Sequence, residues 1–326
     1  MKNRFWLVGV LLFAWACSGE KASETVVEEV VTKPYPTFNA DSAYVFVQTQ
    51  VDFGPRVPGT KGHSETKNWV ISKLESYGWS AQTQDFQAKT YDGLTWDLSN
   101  IIASYNPQAT KRVLLAAHWD TRRIADKDTE RLDQPIDGAN DGGSGVGVLI
   151  EIARTIGSQE LKPDVGIDII LFDGEDDGEP EGAKIRNNEQ EFWWCHGSQY
   201  WSKNKHIPNY SAYYGILVDM VGGKNAKFYR EGTSRQYASG ILSKVWSNAS
   251  TLGFSDFFIQ KDAPEILDDH AFVNVNAGIP MIDIVEFSPE YGFSHYHHTH
   301  QDNMELIDRR TLKAVGQTVL FTVYQE

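Results

Sequence analysis

Four short apolar runs, RVLLAAH (residues 112 to 118), GIDIILF (166 to 172), YGILVDM (214 to 220) and IPMIDIV (279 to 285), recur along the chain with helical stretches between them. Each is nearly continuous in Val, Ile and Leu and is bounded by polar turn residues. That pattern suits strands buried on both faces, as in a parallel sheet, and does not suit half-exposed strands, which alternate. SNIIASY (99 to 105) adds a fifth run of this kind. Upstream, Asp41-Ser42-Ala43-Tyr44 opens a helical pattern that the Pro/Gly turn GPRVPGT (54 to 60) stops. HSETKNWVISKLESYGW follows as an amphipathic helix with Trp69, Ile71, Leu74 and Tyr77 at helical spacing. SGVGVLIEIARTI and ASGILSKVWSNASTLG read as helices between the later strands, and RRTLKAVGQTVLFTVYQ as a closing helix. Alternating strands and helices predict a single-domain α/β/α sandwich around a mostly parallel mixed central sheet. The chain carries no internal repeat and no second domain boundary, and its 326 residues are enough to bury a substantial core.

The N-terminus carries a different message. MKNR supplies positive charge, FWLVGVLLFAWA is an apolar run too short to span a bilayer, and Ala14-Trp15-Ala16 fits a cleavage site. Residues 1–16 are therefore expected to be an export signal. Cys17 follows at once and begins CSGEKASETVVEEVVTK, which resembles a bacterial lipoprotein signal with a tethering linker over 17–36, although Trp15 departs from the usual small residue. The expected product is an exported, periplasmic lipoprotein, monomeric, that touches the membrane only through a lipid on Cys17. Its folded domain spans 37–326. Cys195 is then the one remaining cysteine, so internal disulfides are excluded and stability must come from the core. A net charge of −14 without clustered Lys and Arg excludes nucleic acid as the main partner.

In parallel sheets the ligand crevice lies outside the carboxyl ends of the strands. Here those ends are consistently polar: His118-Trp119-Asp120, Asp173-Gly174-Glu175-Asp176-Asp177, Asp219 and Glu286 follow successive apolar runs. The turn GANDGGSG places Asp141 ahead of a helix, and HYHHTHQDN (295 to 303) packs four of the nine histidines into six positions. Taken singly, a carboxylate at a strand end is most often a cap and a histidine a polar loop residue. Together they collect negative charge that a bound divalent cation would relieve. Imidazole with carboxylates and no thiolate suits Zn²⁺, with Mn²⁺ and Co²⁺ also open by ligand type.

The series HWD, GANDGGSG, FDGED, VDMVG, DDH and HHTHQDN, in this order over residues 118 to 303, resembles the M28 family of zinc aminopeptidases and glutaminyl cyclases. GPRVPGTKGH looks like that family's N-terminal segment, so the resemblance covers nearly all of the domain. It implies a zinc-dependent catalytic domain. For the two-zinc aminopeptidases, His118, Asp141, Asp176, Asp219 and His298 match the ligand positions. For the cyclases, one zinc per chain is implied on Asp141, Asp176 and His298, with Glu175, Asp219 and Asp268 as the acids that shuttle protons. Asp268 in LDDH stands where aminopeptidases usually have Ser, and WWCHGSQYW (193 to 201) resembles the segment that walls the cyclases' pocket, implicating Trp193 or Trp194. Asp176 stands for the Glu of animal cyclases, His297 for their Trp and Leu267 for a Gln. His295, His297 and His300 are left to shape or rim the pocket. The expected activity is conversion of N-terminal glutamine of peptides or proteins to pyroglutamate with release of ammonia. The alternatives are a two-zinc aminopeptidase, in which Glu175 would deprotonate water, and a binding lipoprotein that has lost catalysis.

Overall fold

Helix α1 (Ala40–Asp52) begins where the Asn39 side chain accepts the N–H groups of Asp41 and Ser42, and α2 (Lys61–Ser76) begins on the Thr60 hydroxyl, which accepts from His63. These side chains satisfy donors that the first turn of a helix leaves unpaired. The chain continues through β1 (Ser80–Lys89), β2 (Thr95–Tyr105) and β3 (Arg112–His118) into α3 (Gly143–Ser158), then β4 (Gly166–Phe172) and α4 (His196–Lys203). Strands β5 (Tyr214–Asp219) and β6 (Phe228–Arg230) precede α5 (Gly232–Thr251) and β7 (Phe258–Asp262). A one-turn α6 (Asp269–Phe272) runs into a π-turn, followed by β8 (Met281–Val285), the short β9 (Phe287–Ser288) and β10 (Gly292–Phe293), and α7 (Arg309–Tyr324). This computed structural model describes residues 32–180, 183 and 192–326, so the export signal, Cys17 and the linker as far as residue 31 lie outside the described residues. No helix among the described residues is long and apolar enough to cross a membrane.

Six strands form the central sheet in the order β1-β2-β4-β3-β5-β8. β4, β3, β5 and β8 are mutually parallel, while β1 and β2 pair antiparallel with each other and β2 pairs antiparallel with β4. The predicted mixed, mostly parallel sheet is therefore the one observed, with β1 as an addition. Successive residues of a strand face opposite sides, and here both sides are apolar: Val113, Leu115 and Ala117 pack in the larger core, Leu114 and Ala116 in a smaller one. The larger core lies beneath α1, α3, α5 and α7; the smaller holds Trp201 of α4 and Val273 of the π-turn. Asp168, in the middle of β4, is buried but fully answered: Arg112 grips it at 2.7 Å through both Nε and Nη2, and Tyr210 and Ser104 donate to it at 2.7 and 2.6 Å.

The N-terminal segment positions the loops at the sheet's carboxyl edge. Arg56, in GPRVPGT, is buried and donates to the carbonyls of Trp119, Asp137 and Gly138, which ties the turn before Asp141 to the end of β3. His63 stacks on Trp119 at 4.2 Å and meets Asp173 at 3.0 Å through Nε2.

Candidate active site

Each parallel strand delivers an acid or an imidazole to one edge. His118 ends β3, Asp219 ends β5, and Glu175-Asp176 follow β4 in a turn opened by Gly174 at φ +67°. A Cβ on Gly174 would lie 2.7 Å from a Leu98 methyl, and the left-handed backbone there favours glycine in any case. Asp120 accepts the N–H groups of both Glu175 and Asp176 at 3.1 Å, and Asp302 accepts those of Asn140 and Asp141 at 2.7 and 3.0 Å. Two of the acids at this edge thus serve to orient others. Gly142 lets the turn close on His118: a Cβ there would sit 2.4 Å from the His118 carbonyl oxygen.

The assembled groups line a cavity of about 320 Å³ that contains Asp141, Glu175, Asp176, Trp194, Asp219, Asp268, His297 and His298. His298 Nε2 lies 3.0 Å from Asp176 Oδ1 and 3.8 Å from Asp141 Oδ2. His118 Nε2 lies 3.0 Å from Asp141 Oδ1 and 3.1 Å from Asp219 Oδ1. Asp141 thus belongs to two clusters of ligand atoms, one with His297 and His298, the other with His118 and Asp219, each within 4.8 Å. His298 itself adopts φ +59°, an uncommon backbone state for a non-glycine residue and one that clusters at functional sites.

Burial and mutual repulsion set the acids apart. Burial, together with the charges of Asp268, Asp176 and Asp269, pushes Glu175 well above the usual carboxylate range, against the pull of His118. Burial raises Asp219 to about 7, with Asp141 and Asp268 adding to the rise and the His118 hydrogen bond opposing it. Burial alone would raise Asp141 too, but the hydrogen bond and charge of His118 more than offset it and hold that carboxyl well below the ordinary range. Burial also opposes charge on His118, yet hydrogen bonds with Asp120, Asp141 and Asp219 carry its pKa well above that of free imidazole. Desolvation, with the neighbouring His298 adding to it and Asp141 opposing, pushes the His297 pKa well below the usual value.

The residues fit a zinc ion. Asp141 Oδ2 and Asp176 Oδ2 are buried without a protein hydrogen-bond partner, beside an imidazole, with oxygen and nitrogen donors only. The one thiol nearby is engaged elsewhere: Cys195 Sγ donates to Glu175 Oε1 at 3.2 Å.

Some expectations require correction. Only His297 of the three spare histidines lines the cavity. His295 is exposed on a separate surface depression, and His300 is drawn away by Asp128, which accepts from its backbone N–H and meets its Nδ1 at 2.8 Å. Trp194 walls the cavity, stacked 5.8 Å from His298, whereas Trp193 is buried and is not among the lining residues. Asp173 and Glu286, both at strand ends, serve His63 and the Ser294–Tyr296 turn instead. Asp126 and Lys127 also line the cavity and carry no motif that singles them out in sequence.

The family model described as Peptidase family M28 matches residues 100–323. The structure of a Bacteroides thetaiotaomicron glutaminyl cyclase bound to N-acetylhistamine superposes with a TM-score of 0.86 at 49% identity, covering 90% of this chain and 100% of that one. A Zn-dependent exopeptidase from Parabacteroides distasonis gives the same TM-score, identity and coverage. The glutaminyl-peptide cyclotransferase of Bothrops jararaca is 25% identical over 287 residues, 79% of this chain and 73% of that protein. With the family's span covering the four parallel strands, the residues that line the cavity and all but the last residue of the closing helix, the chain belongs to peptidase family M28.

Proposed function

We propose that this protein is a zinc-dependent glutaminyl-peptide cyclotransferase, which closes the N-terminal glutamine of peptides or proteins to pyroglutamate and releases ammonia. The observation that carries this reading is the setting of Glu175. It lines the cavity with Asp268, beside the metal-binding carboxylates, and the buried Cys195 thiol lies behind, the three ligand atoms within 4.8 Å of one another. Both reactions pass one proton through Glu175; what favours the cyclotransferase is the additional acid beside it, Asp268, where the aminopeptidases usually carry Ser.

The substrate's α-amine attacks the carbon of its own γ-amide, forming the N–C bond of the lactam. Glu175 takes the proton that the amine loses and delivers it to the departing amide nitrogen, which leaves as ammonia. A carboxyl group with a raised pKa is suited to both halves of that transfer. Burial holds that pKa up, and the charges of Asp268, Asp176 and Asp269 add to it. Bound zinc, held by Asp141, Asp176 and His298, supplies Lewis acidity toward the amide carbonyl. Because attack is intramolecular, folding the glutamine side chain toward its amine supplies much of the rate, and Trp194 is the wall against which it folds.

One zinc per chain is proposed. The cluster of His118, Asp141 and Asp219 favours a second reading, a two-zinc aminopeptidase, because it offers a second ligand set. Ammonia release from a Gln-initiated peptide, measured beside amine release from Leu-amide and a zinc count, separates the two. Ammonia release with one zinc supports the cyclotransferase, and Leu-amide cleavage needing two zincs overturns it. We further propose that the chain acts as a monomer, and that it is exported to the periplasm and anchored through Cys17, on the strength of its N-terminal sequence. Membrane fractionation of a Cys17→Ala protein tests the anchor: unchanged membrane association would refute it.

A further inference from the structure

His297 is seated as a hydrogen-bond donor. Lys127 Nζ lies 2.9 Å from His297 Nδ1, and the Lys127 backbone N–H reaches the His298 carbonyl at 3.4 Å, so the two loops are joined twice. A lysine ammonium has hydrogens to donate and no lone pair to accept with, so Nδ1 must be the acceptor and the ring's hydrogen sits on Nε2. Phe293 stacks on the ring at 4.3 Å and His298 packs against it at 3.7 Å, which fixes its plane. Nε2 is 3.8 Å from Asp141 Oδ2, beyond hydrogen-bond range, and the ring lines the cavity near Glu175 and Trp194. A donor oriented in advance, with no acceptor in reach among the described residues, stands at the wall where the substrate's reacting amide must lie.

We propose that His297, as the Nε2–H tautomer, donates a hydrogen bond to the γ-amide oxygen of the glutaminyl substrate as negative charge builds on it, and that Lys127 is the positioning residue that fixes this tautomer. The hydrogen stays on Nε2 throughout. The inference rests on the cyclotransferase reading and adds a protein-borne donor to it. Donors arranged before the reaction are worth most where charge develops, because they need no reorganisation.

The test compares the zinc-loaded parent with His297→Phe, His297→Gln and Lys127→Met, measuring ammonia release, zinc content and the ¹⁵N shifts of the His297 ring. In the parent the ring should show protonated Nε2 and unprotonated Nδ1. His297→Phe should lower kcat about 10²-fold, as loss of one such donor does, with KM changed by no more than about three-fold and zinc unchanged. His297→Gln, which keeps an N–H donor, should recover kcat to within roughly ten-fold of the parent. Lys127→Met should lower kcat about ten-fold and move the ring shifts toward a mixture of tautomers. A parental kcat in His297→Phe, loss of zinc in that variant, or a protonated Nδ1 in the parent each overturns the proposal while leaving the cyclotransferase intact. A parent that releases no ammonia overturns the underlying reading instead.

Discussion

Asp126 Oδ1 lies 3.5 Å from Nδ1 of His298, and Arg122 grips the same carboxylate through Nε and Nη2 at 2.6 and 3.0 Å. Arg122 also donates to the carbonyls of Asp176 and Gly178 at 2.9 and 3.1 Å and lies over the Trp194 ring. One guanidinium thereby ties a proposed ligand's outer nitrogen, a second ligand's backbone and the aromatic wall together. Carboxylates behind ligating histidines fix the ring's tautomer and raise its basicity, and their loss typically costs about 10–100-fold in metal affinity. Asp126→Asn should weaken zinc binding within that range, read by competition with a chelator. Parental affinity in this variant would remove Asp126 from the metal's support.

His298→Ala should abolish zinc binding and activity together, because it removes the imidazole that meets Asp176 at 3.0 Å. His295→Ala and His300→Ala should keep parental zinc, since neither ring lines the cavity. Metal analysis of the three proteins settles the matter, and full zinc in the His298 variant would overturn the assignment.

Asp268 has two jobs that one substitution separates. Its side chain caps α6 by accepting the Asp269 N–H, and it also faces Glu175 and Cys195. Serine caps a helix about as well as aspartate, so Asp268→Ser should preserve the fold while removing the charge. We expect zinc content to hold and kcat for ammonia release to fall on the order of 10²-fold or more, the range general acid–base groups contribute. A parental kcat would show that Asp268 acts as a cap alone and would return weight to the aminopeptidase.

The parallel strands and the main site acids were legible because both obey local rules. Continuous apolar runs mark doubly buried strands, and the acids at their ends then divide: Asp219 faces the cavity, whereas Asp173 and Glu286 turn to His63 and to the Ser294–Tyr296 turn. The edge strand β1 was not legible: in SAQTQDFQAK only Phe86 is buried, and the strand exists because it pairs residue for residue with β2 from Ser80 to Lys89. Asp126 and Lys127 were hidden for a similar reason. They sit in the aperiodic stretch between β3 and α3, and only folding brings them against the histidine loop, more than 160 residues onward. The histidine loop misled in the other direction, because four imidazoles close in sequence diverge once Asp128 claims His300 and the chain turns left-handed at His298.

His196 offers a test of folding free of the metal site's chemistry. It is the first residue of α4, its backbone N–H donates to the Gly174 carbonyl at 3.0 Å, and its Nε2 is buried without a partner. Burial lowers its pKa to about 4, with Asp120 opposing only in part. A helix N-terminus further disfavours a cation there. Between the unfolded value near 6.5 and the folded value near 4, the unfolded chain binds more protons, so stability is fully present above pH ~6.5 and is lost as pH falls through the folded pKa. The shift corresponds to roughly 3 kcal/mol by pH ~4, at about 1.4 kcal/mol per pKa unit. His196→Phe carries no titrating group, so denaturant unfolding of zinc-free parent and variant from pH ~7 to ~4 should show the parent losing about that much more. Parallel profiles for the two proteins would mean that His196 finds a partner in solution, and the buried neutral imidazole would have to be abandoned.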